Sequence, residues 1–326
     1  MMNLENLPSP SEFKKTSYIS NKKEENFDKE KWIKENPIDY FKFIYNLLIT
    51  TEELPQNIKK SLVVYIHYRI IRLYIPDTLY KFYSLNNKRK LNKQKFKTLQ
   101  NKQIFMSKIK DFNDPFDGKA FFYDSSQLAD INRLEVINGK IIDDFTAFYR
   151  GTALTENDTS CMPMWAHYSN NHQGFCVAYD MKNPENTKLA GCTFPVQYTN
   201  ERLDITDYMK NYVKMVLSEI DKQTKIGKTQ IRIDDTSLMH MLLYLCNVKH
   251  STWSYEKEFR CTMGSLEKCL PYIDATPKAI YIGMNCNKQN RNKLVEIAKI
   301  HSIPVYQMRL DELSENFCLK ESLLEN

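Results

Sequence analysis

The stretch AIYIGMNCNKQNRNKLVEIAKIHSIPVYQMR (279–309) does most to determine the fold class of this chain. Its apolar residues predict a strand over Ile280–Gly283, a helix over Lys288–Ile300 and a second strand over Ile303–Arg309. A strand, a helix and a strand in that order predict a βαβ unit. Together with the strands predicted upstream, this unit indicates an α+β fold around a mixed, mostly antiparallel sheet.

Three regions can be separated along the chain. Residues 1–77 comprise a polar arm, up to about residue 35, and a helical hairpin predicted over residues 36–76, where apolar residues recur at helical spacing. Residues 78–310 form the α+β domain, which opens with the strand-like TLYKFYSL (78–85). Residues 311–326 are predicted to be an acidic C-terminal tail.

The composition excludes several classes of protein. Hydrophobic residues make up 42% of the 326 residues and aromatic residues 12%, which excludes wholesale disorder. The most apolar stretch, Leu62–Ile75, contains three basic side chains and is too short to span a bilayer. No signal peptide is visible at the N-terminus, so we expect a cytoplasmic protein without a membrane partner, whose eight cysteines are mostly free thiols.

The positive charge is concentrated in one segment. Ten Lys and Arg residues and no acidic residue lie between Lys81 and Lys110, although the net charge of the whole chain is only +6. Such a segment either binds a polyanion or forms a solvated helix face. Gly-rich phosphate loops, nucleophile elbows and His-Glu-x-x-His motifs are absent from the sequence, which argues against P-loop and Rossmann nucleotide binding.

The strongest candidate site is WSYEKEFR (253–260). We predict a strand over Trp253–Met263, on which Glu256, Glu258 and Arg260 share one face. Two neighbouring carboxylates raise one pKa, and a guanidinium lowers one. This row of side chains suits either a cleft wall or a half-exposed, salt-bridged strand.

Two further motifs carry polar side chains. His167, Tyr168 and His172 lie between Cys161 and Cys176, at a spacing that matches no tight zinc pattern, so we predict no metal site and favour structural roles for the histidines. In the turn FNDPFD (112–117), Asn and Asp side chains are typical hydrogen-bond partners of the turn backbone. We also predict a strand from Leu154 to about Cys161.

The combination of motifs resembles a bacterial family of uncharacterised domains, domain of unknown function twenty-nine seventy-one, which includes proteins grouped with abortive phage infection. The resemblance covers about residues 78–310. The motifs that carry it, in chain order, are LYKFYSL (79–85), IFMSKIKDFNDPFD (104–117), MWAHYSNNHQGFCVAYD (164–180), KHSTWSYEKEFR (249–260) and AIYIGMNC (279–286).

The motif order also resembles that of ADP-ribosyltransferases, and therefore implies a similar fold. Those enzymes carry a basic or His residue on a first core strand, a Ser-bearing or aromatic strand next and a late Glu-x-Glu. The matching positions here are Lys81, Ser107 and Glu256-Lys257-Glu258. The resemblance implies NAD as co-substrate, with Glu258 stabilising the positive charge on the ribose and Glu256 orienting the acceptor.

The same resemblance implies a set of NAD-binding residues. Lys81 would hold the pyrophosphate or the adenosine ribose, and Tyr83, Tyr168 or Trp165 would stack on the nicotinamide. The complete set that we expect around the co-substrate is Lys81, Tyr83, Ser107, Asn113, Trp165, His167, Tyr168 and Arg260.

Three functional hypotheses follow. The first is an NAD-dependent ADP-ribosyltransferase or NAD glycohydrolase that acts as a toxin or phage-defence effector, with a macromolecular acceptor, nucleic acid somewhat favoured over protein, and an antitoxin or defence partner. The second is a nuclease that uses His167, His172, Glu256 and Glu258, with the basic segment on the phosphate backbone. The third is a nucleic-acid-binding protein or sensor without catalysis.

Overall fold

The structure is a computed structural model that describes residues 28–49, 71–86, 89–128, 149–230, 236–264 and 271–324. It divides into two compact units, each built from separate stretches of chain. The first unit comprises Met1–Tyr74, Gly118–Phe145 and Glu201–Val248. The second unit comprises Ile75–Asp117, Thr146–Asn200 and Lys249–Asn326.

The described strands are numbered in chain order. They are β1 Thr78–Tyr83, β2 Gln103–Phe105, β3 Ser107–Lys108, β4 Phe121–Phe122, β5 Tyr149–Thr155, β6 Phe175–Asp180, β7 Thr193–Pro195, β8 Gln197–Thr199, β9 Leu203–Asp204, β10 Val248–His250, β11 Glu258–Gly264, β12 Tyr272–Asp274, β13 Pro277–Ile282, β14 Val305–Leu310 and β15 Leu319–Leu323.

The described α-helices are numbered in the same way. They are α1 Lys29–Glu35, α2 Tyr40–Ile49, α3 Arg89–Gln100, α4 Met162–Tyr168, α5 Thr187–Gly191, α6 Thr206–Lys225, α7 Thr236–Leu245 and α8 Lys288–His301. None of these helices is both long enough and apolar enough to cross a membrane.

The second unit is built on a nine-stranded sheet in the order β15-β14-β13-β6-β1-β5-β11-β7, with β3 also paired to β5. Among the described strands of this sheet, the one parallel pair is β13 with β14, which α8 connects. The predicted α+β class, with a mixed and mostly antiparallel sheet, is therefore confirmed, and so is the βαβ unit. The side chain of Asn287 caps α8 by accepting a hydrogen bond from the backbone N–H of Asn290 at 2.9 Å.

Both faces of this sheet are covered. On one face, Val177 and Ile280 pack with apolar residues of α3 and α8. On the other face, Phe82 and Cys176 pack against Trp165 of α4. Strand β6 is buried over Phe175–Tyr179, because side chains on both of its faces contact apolar layers.

The first unit is mainly helical. Tyr40 of α2 stacks on Tyr244 of α7, with ring centroids 5.4 Å apart. Helix α1 lies in the predicted polar arm, and its N-terminus is capped by Asp28, which accepts a hydrogen bond from the backbone N–H of Lys31. Residues 1–27 of the arm lie outside the described residues, as does the second helix of the predicted hairpin up to residue 70.

Three predicted segments differ from the structure. The strand predicted from Leu154 to about Cys161 is β5, which runs over Tyr149–Thr155. The strand predicted over Trp253–Met263 begins only at Glu258, because Ser251–Glu256 is a 3-10 helix. The predicted C-terminal tail contains β15, which pairs antiparallel with β14 at the edge of the sheet.

Two glycines allow a left-handed turn to approach the sheet. Asn170, Asn171 and His172 have φ values of 54°, 53° and 63°. A Cβ on Gly174 would lie 1.9 Å from the carbonyl oxygen of Tyr83, and a Cβ on Gly283 would lie 2.2 Å from that of His172. Backbone therefore contacts backbone at both positions, with no room for a side chain.

Replacing Gly174 with Ala is expected to lower the free energy of unfolding by about 2 kcal/mol or more, because the backbone of β1 must move to admit the methyl group. Gly191→Ala is the matched control, since a Cβ there meets no atom within 4 Å. The control is expected to be neutral or to stabilise by up to about 1 kcal/mol. Urea denaturation of the three proteins measures both effects, and equal stability of the two variants would contradict the close approach.

Candidate active site

A cleft lies where strands β1 and β5 of the large sheet separate. Strand β1 pairs with β6 over its whole length, but in the described part of the chain it pairs with β5 at one position only, Tyr80 with Thr155. Nearer its N-terminal end, β5 pairs instead with β3, where Gly151 lies opposite Ser107. A cavity of about 600 Å³ opens at this separation and is lined by residues of β1, β5 and their neighbours.

The side chain of Lys81 bridges the separated strands. Its Nζ donates a hydrogen bond to the carbonyl oxygen of Ala153 on β5 at 3.1 Å. The same Nζ lies 5.3 Å from the centroid of the Tyr83 ring, which also lines the cavity. Lys81 therefore supplies a donor to a carbonyl group that β1 does not reach.

A buried charge cluster forms one end of the cleft and consists of Asp117, Lys249, Glu256, Glu258 and Arg260. Arg260 Nε donates to Glu258 Oε1 at 2.7 Å, and its Nη2 donates to Asp117 Oδ1 at 2.6 Å. Lys249 Nζ donates to Glu256 Oε2 at 2.7 Å and to Glu258 Oε2 at 3.0 Å. Every one of these side chains is at most 7% exposed.

Aromatic side chains enclose the cluster. The hydroxyl of Tyr168 donates to Glu256 Oε1. Lys249 Nζ lies 4.7 Å from the ring centroid of Trp253, and the guanidinium carbon of Arg260 lies 5.2 Å from that of Phe112. These rings exclude water from one side of each cation and strengthen its interaction with the carboxylates.

The two glutamates of the cluster differ in pKa. Burial disfavours ionisation of Glu258, but Arg260 and Lys249 outweigh that cost and lower its pKa to about 2. Burial raises the pKa of Glu256, and the hydrogen bonds from Lys249 and Tyr168 compensate only in part. Two carboxylates whose environments separate their pKa values suit a pair in which one stays ionised and the other exchanges a proton.

The backbone before β11 explains how both glutamates reach the cluster. Glu256 ends the 3-10 helix, and Lys257 is left-handed with φ 45°. The hydroxyl of Thr155 donates to the carbonyl oxygen of Glu256 at 2.6 Å, and the backbone N–H of Glu258 donates to the hydroxyl of Tyr198 at 2.8 Å. The predicted common face is therefore regular only for Glu258 and Arg260, and Glu256 arrives by a turn.

Two lysines define another part of the cleft. Lys95 of α3 donates from Nζ to the backbone oxygen of Ser84 at 2.6 Å and to its hydroxyl at 3.0 Å. Among the described residues, neither Lys81 nor Lys95 has a carboxylate within 4 Å of its Nζ. Burial lowers the pKa of Lys81 to about 8; Glu258 opposes this shift, and Lys95 adds to it. Burial also lowers the pKa of Lys95.

Asp114 presents a further polar atom. Its Oδ1 accepts a hydrogen bond from the backbone N–H of Phe116 at 2.9 Å, as expected for the FNDPFD turn. Its Oδ2 is buried and has no hydrogen-bond partner in the described part of the chain, although the residue lines the cleft. A buried acceptor without a partner favours a ligand that donates a hydrogen bond.

The structure brings most of the predicted site residues into the cleft lining, and these are Lys81, Tyr83, Ser107, Asn113, Tyr168, Glu256 and Glu258. Arg260 lies behind Glu258 and is fully buried. Trp165 is buried in the core, where it packs edge-on against Phe82 and donates from Nε1 to the Thr159 carbonyl, so it does not face the cleft. His167 is exposed and lies beside the ring of Tyr255.

Sequence reasoning missed the contributions of Lys95, Lys249 and Asp117. Lys95 lies in the basic segment, Lys249 in the motif KHSTWSYEKEFR (249–260) and Asp117 in the turn FNDPFD (112–117). Helix α3 presents Leu91, Lys95 and Thr98 to the cleft and buries Phe96 and Leu99. This i, i+4, i+7 spacing is the signal that singles out Lys95 from its neighbouring lysines.

The histidines predicted for a nuclease are not brought into the cleft. His172 stacks on Trp165, and neither it nor His167 lines the cavity. Among the described residues, no group of three or more His, Cys, Asp or Glu side chains is arranged to hold a metal ion.

The motifs of the charge cluster coincide with a known family. Residues 164–261 match the family described as "Protein of unknown function (DUF2971)". The resemblance inferred from the sequence motifs is thereby confirmed over this range. The DUF2971 segment contains Tyr168, Lys249, Glu256, Glu258 and Arg260. No curated protein and no solved structure matches the chain.

Removing Arg260 should destabilise the fold more than neutralising Glu258. The cluster holds three carboxylates and two cations. Arg260→Met leaves Asp117 and Glu258 without their shared partner, and we expect a loss of about 3–5 kcal/mol. Glu258→Gln leaves the pairs Lys249–Glu256 and Arg260–Asp117, so its loss should be smaller. Urea denaturation at pH 7 tests this order, and the reverse order would contradict the assigned pairing.

Wild type and Glu258→Gln should also differ in how much stability they lose in acid. Because the folded-state pKa of Glu258 is about 2, below the ordinary value of 4.5, its stabilisation is present above pH 4.5 and is lost as the pH falls towards 2. The variant lacks this titration. Wild type should therefore lose stability more steeply over that interval, as measured by urea denaturation at stepped pH. Parallel pH profiles would contradict a depressed pKa.

Proposed function

We propose that the chain cleaves the nicotinamide–ribose bond of NAD and transfers ADP-ribose to water or to a macromolecular acceptor. The observation that carries the proposal is a single cleft in which one region is lined by lysines and the other by glutamates. Among the residues that the structure describes, Lys81 and Lys95 have no carboxylate partner in the cleft, which suits the phosphates of a dinucleotide. Glu258 and Glu256 lie at the charge cluster, which suits the sugar at which the bond breaks.

Glu258 would act as the stabilising carboxylate. As the C1–N bond breaks, its electron pair goes to the nicotinamide nitrogen, and positive charge develops on the ribose. A carboxylate with a pKa of about 2 is ionised at any physiological pH and stabilises that charge without first losing a proton. Arg260 and Lys249 hold this carboxylate in place through its two oxygens.

Glu256 would act on the acceptor. Forming the new bond from C1 to an acceptor oxygen releases a proton, and a carboxylate with a raised pKa takes a proton more readily than Glu258. The hydroxyl of Tyr168 donates a hydrogen bond to Glu256, and both side chains line the cleft, where they would meet the acceptor. The unpartnered Oδ2 of Asp114 suits a ribose hydroxyl.

The proposed cellular role is that of a toxin or phage-defence effector in the cytoplasm, as the resemblance of the sequence motifs implies. Helix α3 carries the exposed side chains of Lys93 and Lys97 next to the cleft-lining Lys95. This arrangement favours nucleic acid over protein as the acceptor. The nuclease alternative is weaker, because its two histidines lie away from the cleft.

Nicotinamide release from NAD tests the proposal. Glu258→Gln is expected to lower the rate by about 10²–10³-fold, because it removes the charge that stabilises the transition state. Glu296→Gln on α8 is the matched control, since that side chain is 58% exposed and should leave the rate unchanged. Thermal unfolding of each protein verifies that it is folded.

The same assay is run with and without cell lysate. Release that requires lysate would identify transfer to a macromolecule, and release without lysate would identify hydrolysis. Intact NAD under both conditions, or full activity in a folded Glu258→Gln protein, would overturn the proposal. Cleavage of RNA or DNA without NAD would instead support the nuclease.

A further inference from the structure

We propose that Lys81 is an imine-forming lysine, whose amine condenses with the aldehyde carbon of an open-chain sugar phosphate bound in the cleft. The amine nitrogen forms a bond to C1, the carbonyl oxygen leaves as water, and a carbon–nitrogen double bond remains. No oxidant or reductant is consumed. The inference goes beyond the proposed function, since any aldehydic sugar phosphate would serve.

The placement of Lys81 favours this reaction. Its side chain is half-buried in the separated sheet, and within the described ranges its Nζ makes one hydrogen bond, to the Ala153 carbonyl at 3.1 Å. The ring of Tyr83 covers the ammonium on one side, at 5.3 Å from the ring centroid. A desolvated lysine without a carboxylate partner is the type that proteins use for Schiff-base chemistry.

A second cation beside Lys81 strengthens the inference. The groups that face Lys81 are Lys95 from α3, Glu258 and the Cys261 thiol from β11, and Tyr83 on its own strand. Lys95 and burial favour the neutral amine, while Glu258, whose oxygens are bonded to Arg260 and Lys249, opposes it. A lysine next to another cationic group in a desolvated site is an activated nucleophile.

Lys95 and Lys81 would contact different parts of a sugar phosphate. Lys95 is held by both oxygens of Ser84 and keeps a fixed position at the cleft wall, where it suits the phosphate. Lys81 then faces the carbon chain. Hydrolysis of NAD by the proposed function would release ADP-ribose, whose sugar opens to such an aldehyde, so the product of that reaction is one candidate partner.

Reductive trapping tests the inference without NAD. The full chain is incubated with ribose 5-phosphate and sodium cyanoborohydride at pH 7, and the adducts are located by peptide mass spectrometry. With its pKa of about 8 against an ordinary value of 10.5, Lys81 has about 300 times the neutral-amine fraction of an exposed lysine at pH 7 and should be labelled faster by about that factor. We expect one dominant adduct per chain, at Lys81.

Variants decide the assignment. Lys81→Arg should abolish the dominant adduct, and Lys93→Arg, an exposed position on α3, should leave it unchanged. Lys95→Met should slow labelling more at pH 7 than at pH 10, because at pH 10 the amine is neutral in either protein and only the phosphate contact is lost. Adducts spread evenly over exposed lysines of the wild type, or an undiminished dominant adduct in Lys81→Arg, would overturn the inference. Since wild-type mapping needs no variant, poor folding of a variant leaves the test intact.

Discussion

The pairing of Glu258 with Arg260 and Lys249 sets the chemistry of the cleft. A carboxylate that is 4% exposed would lose its charge without compensation, since burying an ion costs several kcal/mol. Three donated hydrogen bonds keep it ionised, two from Arg260 and one from Lys249. Asp117 and Glu256 complete the coordination of the two cations, so replacing one side chain of the cluster alters the pairing of the others.

This cluster also joins distant parts of the chain. Asp117 closes the FNDPFD turn, Lys249 lies on β10, and Glu258 and Arg260 lie on β11. Their hydrogen bonds therefore fix three backbone segments around one end of the cleft. A buried ionic group contributes little net stability, but it specifies one arrangement of the segments that supply it. The positions of Glu256 and Tyr168 depend on that arrangement.

The sequence predicted part of this site, and the reasons for its limits are physical. Alternation along a strand placed Glu258 and Arg260 together, and β11 has that geometry. Alternation also placed Glu256 with them, but the actual cause is the left-handed Lys257 after a 3-10 helix, which local composition does not signal. Lys249 reaches Glu258 and Asp117 reaches Arg260 through tertiary contacts alone, and no spacing rule predicts those. The βαβ unit was predictable because its apolar periodicity is local.

The cluster and the separation of the strands together explain why Lys81 has no acidic partner among the residues that the structure describes. Where β1 and β5 part, the carbonyl of Ala153 needs a donor, and Lys81 supplies it. Glu258 is close enough to influence the pKa of Lys81, and an unpaired carboxylate there would attract the ammonium and close the gap. Because Arg260 and Lys249 already occupy both oxygens of Glu258, the attraction is reduced and the gap stays open. The same interaction that keeps Glu258 ionised therefore leaves Lys81 available to a ligand in the cleft.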